Sequence, residues 1–353
     1  MTTWQGKNTA VIESAQALGH TNVKFSYKYR KRFTGFLLFK QAIIGKSDRE
    51  SEAEKMNKND VLLVAKNKSL YFLPSIRSLD VWSGKDLLQS EFIKSARQQL
   101  ANYQLIVFLD YGFDMEMARR VRPFTNAKIV LFFWNHFKAE HEAMLKQAQD
   151  EPAIDEIYHF DFLEAKELGL KHNSSFYSKH MDFSSSEPKT DLFFGATNNG
   201  RKERAESYKQ EFIKRDVTTN YFILPHRGNE QPGYLAYEEY LKKTGESRGI
   251  LELLREGQQG VTLRTFESMY FQKKLVTDNQ AIAHYHFYRP ENIFLLRERD
   301  LDELPEFLHT PFKPIPSELL EFYDAENWAK RFITNDSTIY EQYEYDLSSV
   351  ENK

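Results

Sequence analysis

The 353-residue chain reads as α/β, two Rossmann-like doubly wound domains in tandem. Its length exceeds what one ordinary core organises and fits two domains. Short apolar runs rich in Val, Ile, Leu and Phe recur along it, the composition of strands buried on both faces of a parallel sheet. Polar segments with helical periodicity separate these runs, and such strand–helix alternation builds a parallel sheet through right-handed crossovers.

In the first domain, 1–182, strands are predicted at 60–65 (DVLLVA), 69–74 (SLYFLP), 103–112 (YQLIVFLDYG) and 127–135 (AKIVLFFWN). A helix is expected at 138–149, a strand at 156–161, and then a helix stopped by Gly169, because glycine accepts the left-handed turn that closes a helix. Serines and a proline at 182–189 (DFSSSEPK) mark a boundary. The second domain, 190–315, is more regular. Strands at 190–197, 218–224, 248–254, 275–279 and 291–296 alternate with helices at 199–216, 237–245 and 263–274. From 316 to 353 the chain reads as a helical segment and tail, with Phe322, Tyr323, Trp328 and Phe332 at near-helical spacing as packing residues.

Composition narrows the function classes. With 41% hydrophobic and 28% charged residues the chain can bury cores and belongs with globular proteins. It has no cysteine, which excludes disulfides, thiol nucleophiles and thiolate metal sites. No apolar run is long enough to span a bilayer and the N-terminus lacks the plan of a signal peptide, so a cytoplasmic protein is expected. A net charge of −3 gives no general attraction to nucleic acid, and no nucleic-acid partner is expected. Charge is uneven, however: residues 23–47 carry seven Lys or Arg, six aromatics and no acid. Such a stretch suits either the solvated side of a first-domain element or peripheral docking at the inner face of an anionic membrane, through Arg30, Lys31 and Arg32.

Ligands of open parallel sheets bind beyond the C-terminal ends of the strands, where helix N-termini offer free N–H groups. Two loops fit that position. In the first, GATNNGRK (195–202), Gly195 allows close backbone approach, Asn198 and Asn199 form the turn, and Arg201 and Lys202 open the helix. Cations oppose the positive end of a helix dipole, which favours a bound phosphate there, with a plain structural turn as the alternative. In the second, GQQGVTLRTFE (257–267), Gly257, Gly260 and Thr262 can expose backbone donors to a diphosphate, and Arg264 adds fixed ones. Glu267, three residues further on the same helix face, can accept from the vicinal hydroxyls of a ribose, or simply pair with Arg264.

These stretches carry a resemblance. GVTLRTFESMYFQKKLVTDN, with DLFFGATNNGR upstream and FYDAENWAKRF near the end, resembles the C-terminal half of bacterial GT-B-fold glycosyltransferases of cell-surface polysaccharide and lipopolysaccharide assembly. The likeness covers about 190–333 and extends more thinly to FDFLEAKELGLKHNSSFYS at 160–178. It implies two domains facing a central cleft, a final helix crossing back, a nucleotide-diphosphate sugar donor in the second domain and a glycan or lipid-linked acceptor in the first. It assigns Glu267 to the ribose, Arg264 and 257–262 to the diphosphate and sugar, and 195–201 to the cleft. Relatives often have an acid near the position of Asn198, so this chain departs from the pattern there.

Such a transfer needs no metal or other cofactor when cations stabilise the leaving diphosphate, and Arg264, Arg201 and Lys202 are the candidates. An inverting reaction also needs a base for the acceptor hydroxyl, and Asp110 and His136, both after first-domain strands, are the candidates. Strand-end residues of this kind also serve as loop caps. HYH (284–286) lacks a third ligand for zinc, and PHRGN (225–229) reads as a turn. Two other functions stay open: a nucleotide-sugar epimerase of related architecture, and a non-catalytic envelope interaction protein retaining the fold.

Overall fold

The computed structural model describes residues 60–225, 234–334, 336 and 338–345, all within one compact unit, Met56–Lys353. The basic stretch 23–47 and residues 226–229 lie outside the described residues. Two parallel sheets form the unit. The first has strands β1 (Val61–Ala65), β2 (Asp80–Ser83), β3 (Leu105–Leu109), β4 (Lys128–Phe133), β5 (Glu156–His159) and β6 (Lys171–His172), arranged β2-β1-β3-β4-β5-β6. The second has β7 (Thr190–Thr197), β8 (Thr219–Leu224), β9 (Ser247–Glu252), β10 (Lys274–Thr277) and β11 (Ile293–Leu295), arranged β11-β10-β9-β7-β8. Each sheet therefore has the same Rossmann-like plan, its first strand flanked by its second and third. Order reverses between β1 and β3 and between β7 and β9, the position from which loops of such sheets leave in opposite directions.

The apolar runs explain the strand positions. All five residues of β1 and of β3 are buried, as expected for central strands covered by helices on both faces. The stretch 69–74, expected as a strand, is instead a turn leading into a single 3₁₀ turn, Leu73–Ser75. Pro74 cannot donate to a ladder, which works against a strand there, and Tyr71 takes a left-handed backbone, φ 49°. The edge place goes to β2, whose short DVWS run gave too little pattern to read. Helix Ser90–Asn102, also missed, buries Ile93, Ala96 and Leu100, one face of an otherwise polar segment. At the 284–286 triplet a 3₁₀ turn ends at His284, and His286 Nε2 meets the Glu341 carbonyl.

The C-terminal residues return to the first sheet. On helix Ala325–Thr334, Trp328 stacks on Phe176 with centroids 3.9 Å apart and meets Phe132 edge-on at 5.2 Å. Arg331, buried on the same helix, donates to Asn173 Oδ1, the Phe322 carbonyl and Ser174 Oγ. Phe322, Tyr323, Trp328 and Phe332 are all buried, and one hydrophobic cluster runs from β1 and β3 through these side chains to Ile250 and Phe266 of the second sheet's layer. Among the described residues no helix is long and apolar enough to cross a membrane.

Candidate functional site

The loop following β9 brings the second sheet's strand ends against the first sheet's. Gly257 has φ 78°, and a β-carbon on it would stand 3.3 Å from His136 Nε2. At Gly260 a β-carbon would come within 2.6 Å of Phe160 and 2.8 Å of Asp161 Oδ2, too close to fit. Both glycines therefore let backbone approach the residues that follow β4 and β5.

His136 faces this loop with its orientation fixed from behind. Its Nδ1 pairs with Glu164 Oε1, while Glu164 Oε2 accepts from the Phe137 N–H at 2.8 Å. The buried His159 approaches the same oxygen, Nε2 to Oε2 3.1 Å, too obliquely for a full hydrogen bond. Its Nδ1 accepts the Asp161 N–H at 3.0 Å, which leaves Nε2 as the nitrogen that carries a proton toward Glu164. Burial tends to raise the Glu164 carboxyl, but His159, the Phe137 N–H and His136 outweigh it and hold it below the usual carboxylate range. Glu164 is three residues after Asp161, which caps helix Phe162–Leu168 by accepting the Glu164 N–H. In a capping box the glutamate would reach back to the Asp161 N–H. Here His159 takes that N–H, so Glu164 turns to His136.

Asp110, the other base candidate, is buried to 2% exposure and accepts from the Trp134 N–H and the Asn135 amide. Burial pushes its carboxyl up, against those hydrogen bonds. It ties the loop after β4 to β3, and so holds the backbone two residues before His136.

Across the β7/β9 reversal the cationic loop is largely self-satisfied. The Asn198 side chain accepts the N–H groups of Arg201 and Lys202, just before and at the first residue of helix Lys202–Ile213. Arg201 is 5% exposed and donates to the carbonyls of Leu253, Thr197 and Asn198, clasping the loop after β9 to the loop after β7. Asn199, its amide oxygen turned to Arg255, accepts from that guanidinium at 3.3 Å. Lys202 is exposed. Gly195 packs under Tyr240, where a β-carbon would lie 2.5 Å from the ring. The Gly195 carbonyl takes a hydrogen bond from Arg264 Nη2, and Arg264 Nε is buried without a partner.

Thr262 caps helix Leu263–Phe271 and also donates to Glu252 at the end of β9; Thr265 and Thr277 complete that buried carboxylate's partners. Glu267 is 1% exposed. Its two oxygens accept from Tyr237 at 2.8 Å and Tyr240 at 2.7 Å, side chains of helix Tyr237–Gly245. Burial raises the Glu267 carboxyl against the opposing pull of Tyr240, Arg264 and Tyr237. A ribose can reach Glu267 only if that helix moves and the phenols give way.

The structure thus brings together His136, Gly257 and Gly260 across the two sheets, and Gly195, Arg264 and Glu267 within the second. It directs Asp110, Asn198 and Arg201 to backbone partners. Glu164, Tyr237 and Tyr240 escaped the sequence reading; the Asp161-x-x-Glu164 spacing signalled a helix start but not a partner for His136. A groove of about 700 Å³ lined by Pro290, Arg299, Phe307 and Pro311 lies by the N-terminal ends of β10 and β11, away from these loops. Among the described residues no group of three His, Cys, Asp or Glu side chains is arranged to hold a metal ion. Comparison with protein-family models and with curated proteins finds no match.

Proposed function

We propose that the chain is a GT-B-type glycosyltransferase moving a sugar from a nucleotide-diphosphate donor to a glycan or lipid-linked acceptor. The observation that carries this reading is the imidazole of His136, oriented through Nδ1 by Glu164 and facing the open side of Gly257 with Nε2. A base held this way takes a proton from an acceptor hydroxyl. That oxygen then bonds to the anomeric carbon, the bond from the same carbon to the diphosphate breaks, and the configuration inverts. Leaving charge would meet Arg264, Lys202 and the N-terminus of helix Leu263–Phe271. Glu267 would take the ribose once Tyr237 and Tyr240 withdraw. Residues 23–47 would dock on anionic lipid, the surface that carries a lipid-linked acceptor.

His136→Ala is expected to lower transfer by about 10²–10⁴-fold with the donor's KM little changed. Full turnover by that variant with any donor it accepts would remove the assignment. A second reading, a non-catalytic envelope interaction protein that retains the fold and binds no nucleotide, is favoured by the burial of Glu267 under two tyrosines. Titration with uridine, guanosine, thymidine and cytidine diphosphates separates the two, since an enzyme must bind one of them.

A further inference from the structure

A second, smaller cavity opens beside helix Tyr237–Gly245, about 240 Å³ in volume and bounded by Tyr71, Pro74, His180, Asp182, Tyr237 and Glu238. We infer that this cavity binds one pyranose ring of a glycan, packed against the rings of Tyr71 and Tyr237. Where the transferase reading holds, the cavity receives the acceptor glycan in the donor-free chain, before Tyr237 leaves Glu267 to the ribose, and only that role depends on the reading.

Three observations carry the inference. Tyr71 is an exposed aromatic residue, 42% accessible, on a left-handed backbone with φ 49° that disfavours any residue bearing a β-carbon. A glycine would serve that turn without strain, so the turn by itself does not account for a tyrosine. Tyr237 meets Tyr71 edge-on, centroids 5.5 Å apart at 75°, which gives the cavity two aromatic walls. The Tyr237 hydroxyl lies between Tyr177, 2.7 Å away, and Glu267, 2.8 Å away, so that wall is set before any ligand arrives.

The chemistry of the rim selects the ligand class. The negative faces of aromatic rings attract the C–H edges of a pyranose, and carboxylates accept its hydroxyl protons. Asp182 and Glu238 supply those acceptors. The Ser184 hydroxyl and N–H hold the Asp182 carboxyl below its usual range, so it stays an acceptor at neutral pH. The same two charges repel phosphate, which disfavours a nucleotide even though a base could also stack on a tyrosine. One ring fits the volume; a drug-sized ligand needs a pocket of roughly 300 Å³ or more.

The test is saturation-transfer NMR on the full-length chain with the methyl pyranosides of glucose, galactose, mannose and N-acetylglucosamine, and with uridine monophosphate as the nucleobase probe. At least one glycoside is expected to bind. Tyr71→Phe should bind it as the parent does, whereas Tyr71→Gly should bind at least tenfold more weakly while melting at the same or a higher temperature. The inference is overturned if no glycoside binds, if Tyr71→Gly binds as well as the parent, or if only uridine monophosphate shows Tyr71-dependent binding. Because no donor is present, the result is independent of turnover. Tyr71-dependent glycoside binding in a chain that consumes no nucleotide sugar would keep the cavity and refute the transferase; donor turnover without glycoside binding would do the reverse.

Discussion

Replacing Glu164 with glutamine tests the arrangement behind His136 without emptying the space. The carboxylate faces three donors: His136 Nδ1, the Phe137 N–H and, less directly, His159 Nε2. An amide of the same shape keeps one acceptor oxygen but turns an NH₂ group toward a donor and removes the charge. Hydrogen bonds to a charged group contribute roughly 1.5–3 kcal/mol each, and Gln retains part of one, so a loss of about 2 kcal/mol at pH 7 is expected. The pH dependence follows from the direction of the Glu164 shift. Its folded-state pKa lies below the unfolded value, so its contribution is present above an unfolded pKa of about 4.3 and disappears as pH falls through the folded pKa. Urea denaturation of the parent and Glu164→Gln from pH 7 down to pH 3 should show two curves that converge in acid. A gap that persists undiminished at pH 3 would refute the charge-based account, and so would no gap at pH 7. If His136 is the base, the same variant should also lose transfer activity, acting through the orientation of the imidazole, with the donor's KM preserved.

Glu267 should show the opposite pH trend, because burial raises its folded pKa: whatever stability its carboxyl contributes is complete below about pH 4.3 and declines as pH rises through the raised value. Glu267→Gln should therefore gain on the parent in urea denaturation as pH rises above about 4.3, and a gain that fails to appear with rising pH would count against this. Trp328→Ala should cost about 3–5 kcal/mol, since a fully buried indole packed on Phe132 and Phe176 leaves a cavity that the stacked rings cannot fill. Thermal unfolding measures it, and a loss under 1 kcal/mol would mean that the C-terminal helix is not docked on the first sheet.

Much of the second sheet was legible in the sequence because its strands and helices alternate cleanly: β7, β8, β9 and β10 fall within a residue or two of their predicted runs. In the first sheet the run at 69–74 misled, since Leu, Tyr and Phe beside Pro74 satisfy the composition of a strand but not its hydrogen bonding. Helix Ser90–Asn102 stayed hidden because it buries only one narrow face. For the candidate site, the glycines and His136 were visible as residue types at strand ends. Their partners were not. Arg201 reads as a phosphate ligand until its guanidinium is found on the carbonyls of Leu253 and Thr197, and Glu267 reads as a ribose acceptor until Tyr237 and Tyr240 are found on its oxygens.

Sequence alone determined the periodicities, and through them two parallel sheets with loops rich in glycine and cations at their strand ends, because local hydrophobic pattern and turn chemistry are written residue by residue. Tertiary structure alone decided that Glu164 turns to His136, that Gly257 lies open beside that imidazole, and that Tyr71 and Tyr237 wall a common cavity. Those contacts join residues roughly 30 to 170 positions apart. Which side chains meet over such separations depends on strand order and on how the loops between the two sheets pack, and neither leaves a periodic trace in the chain.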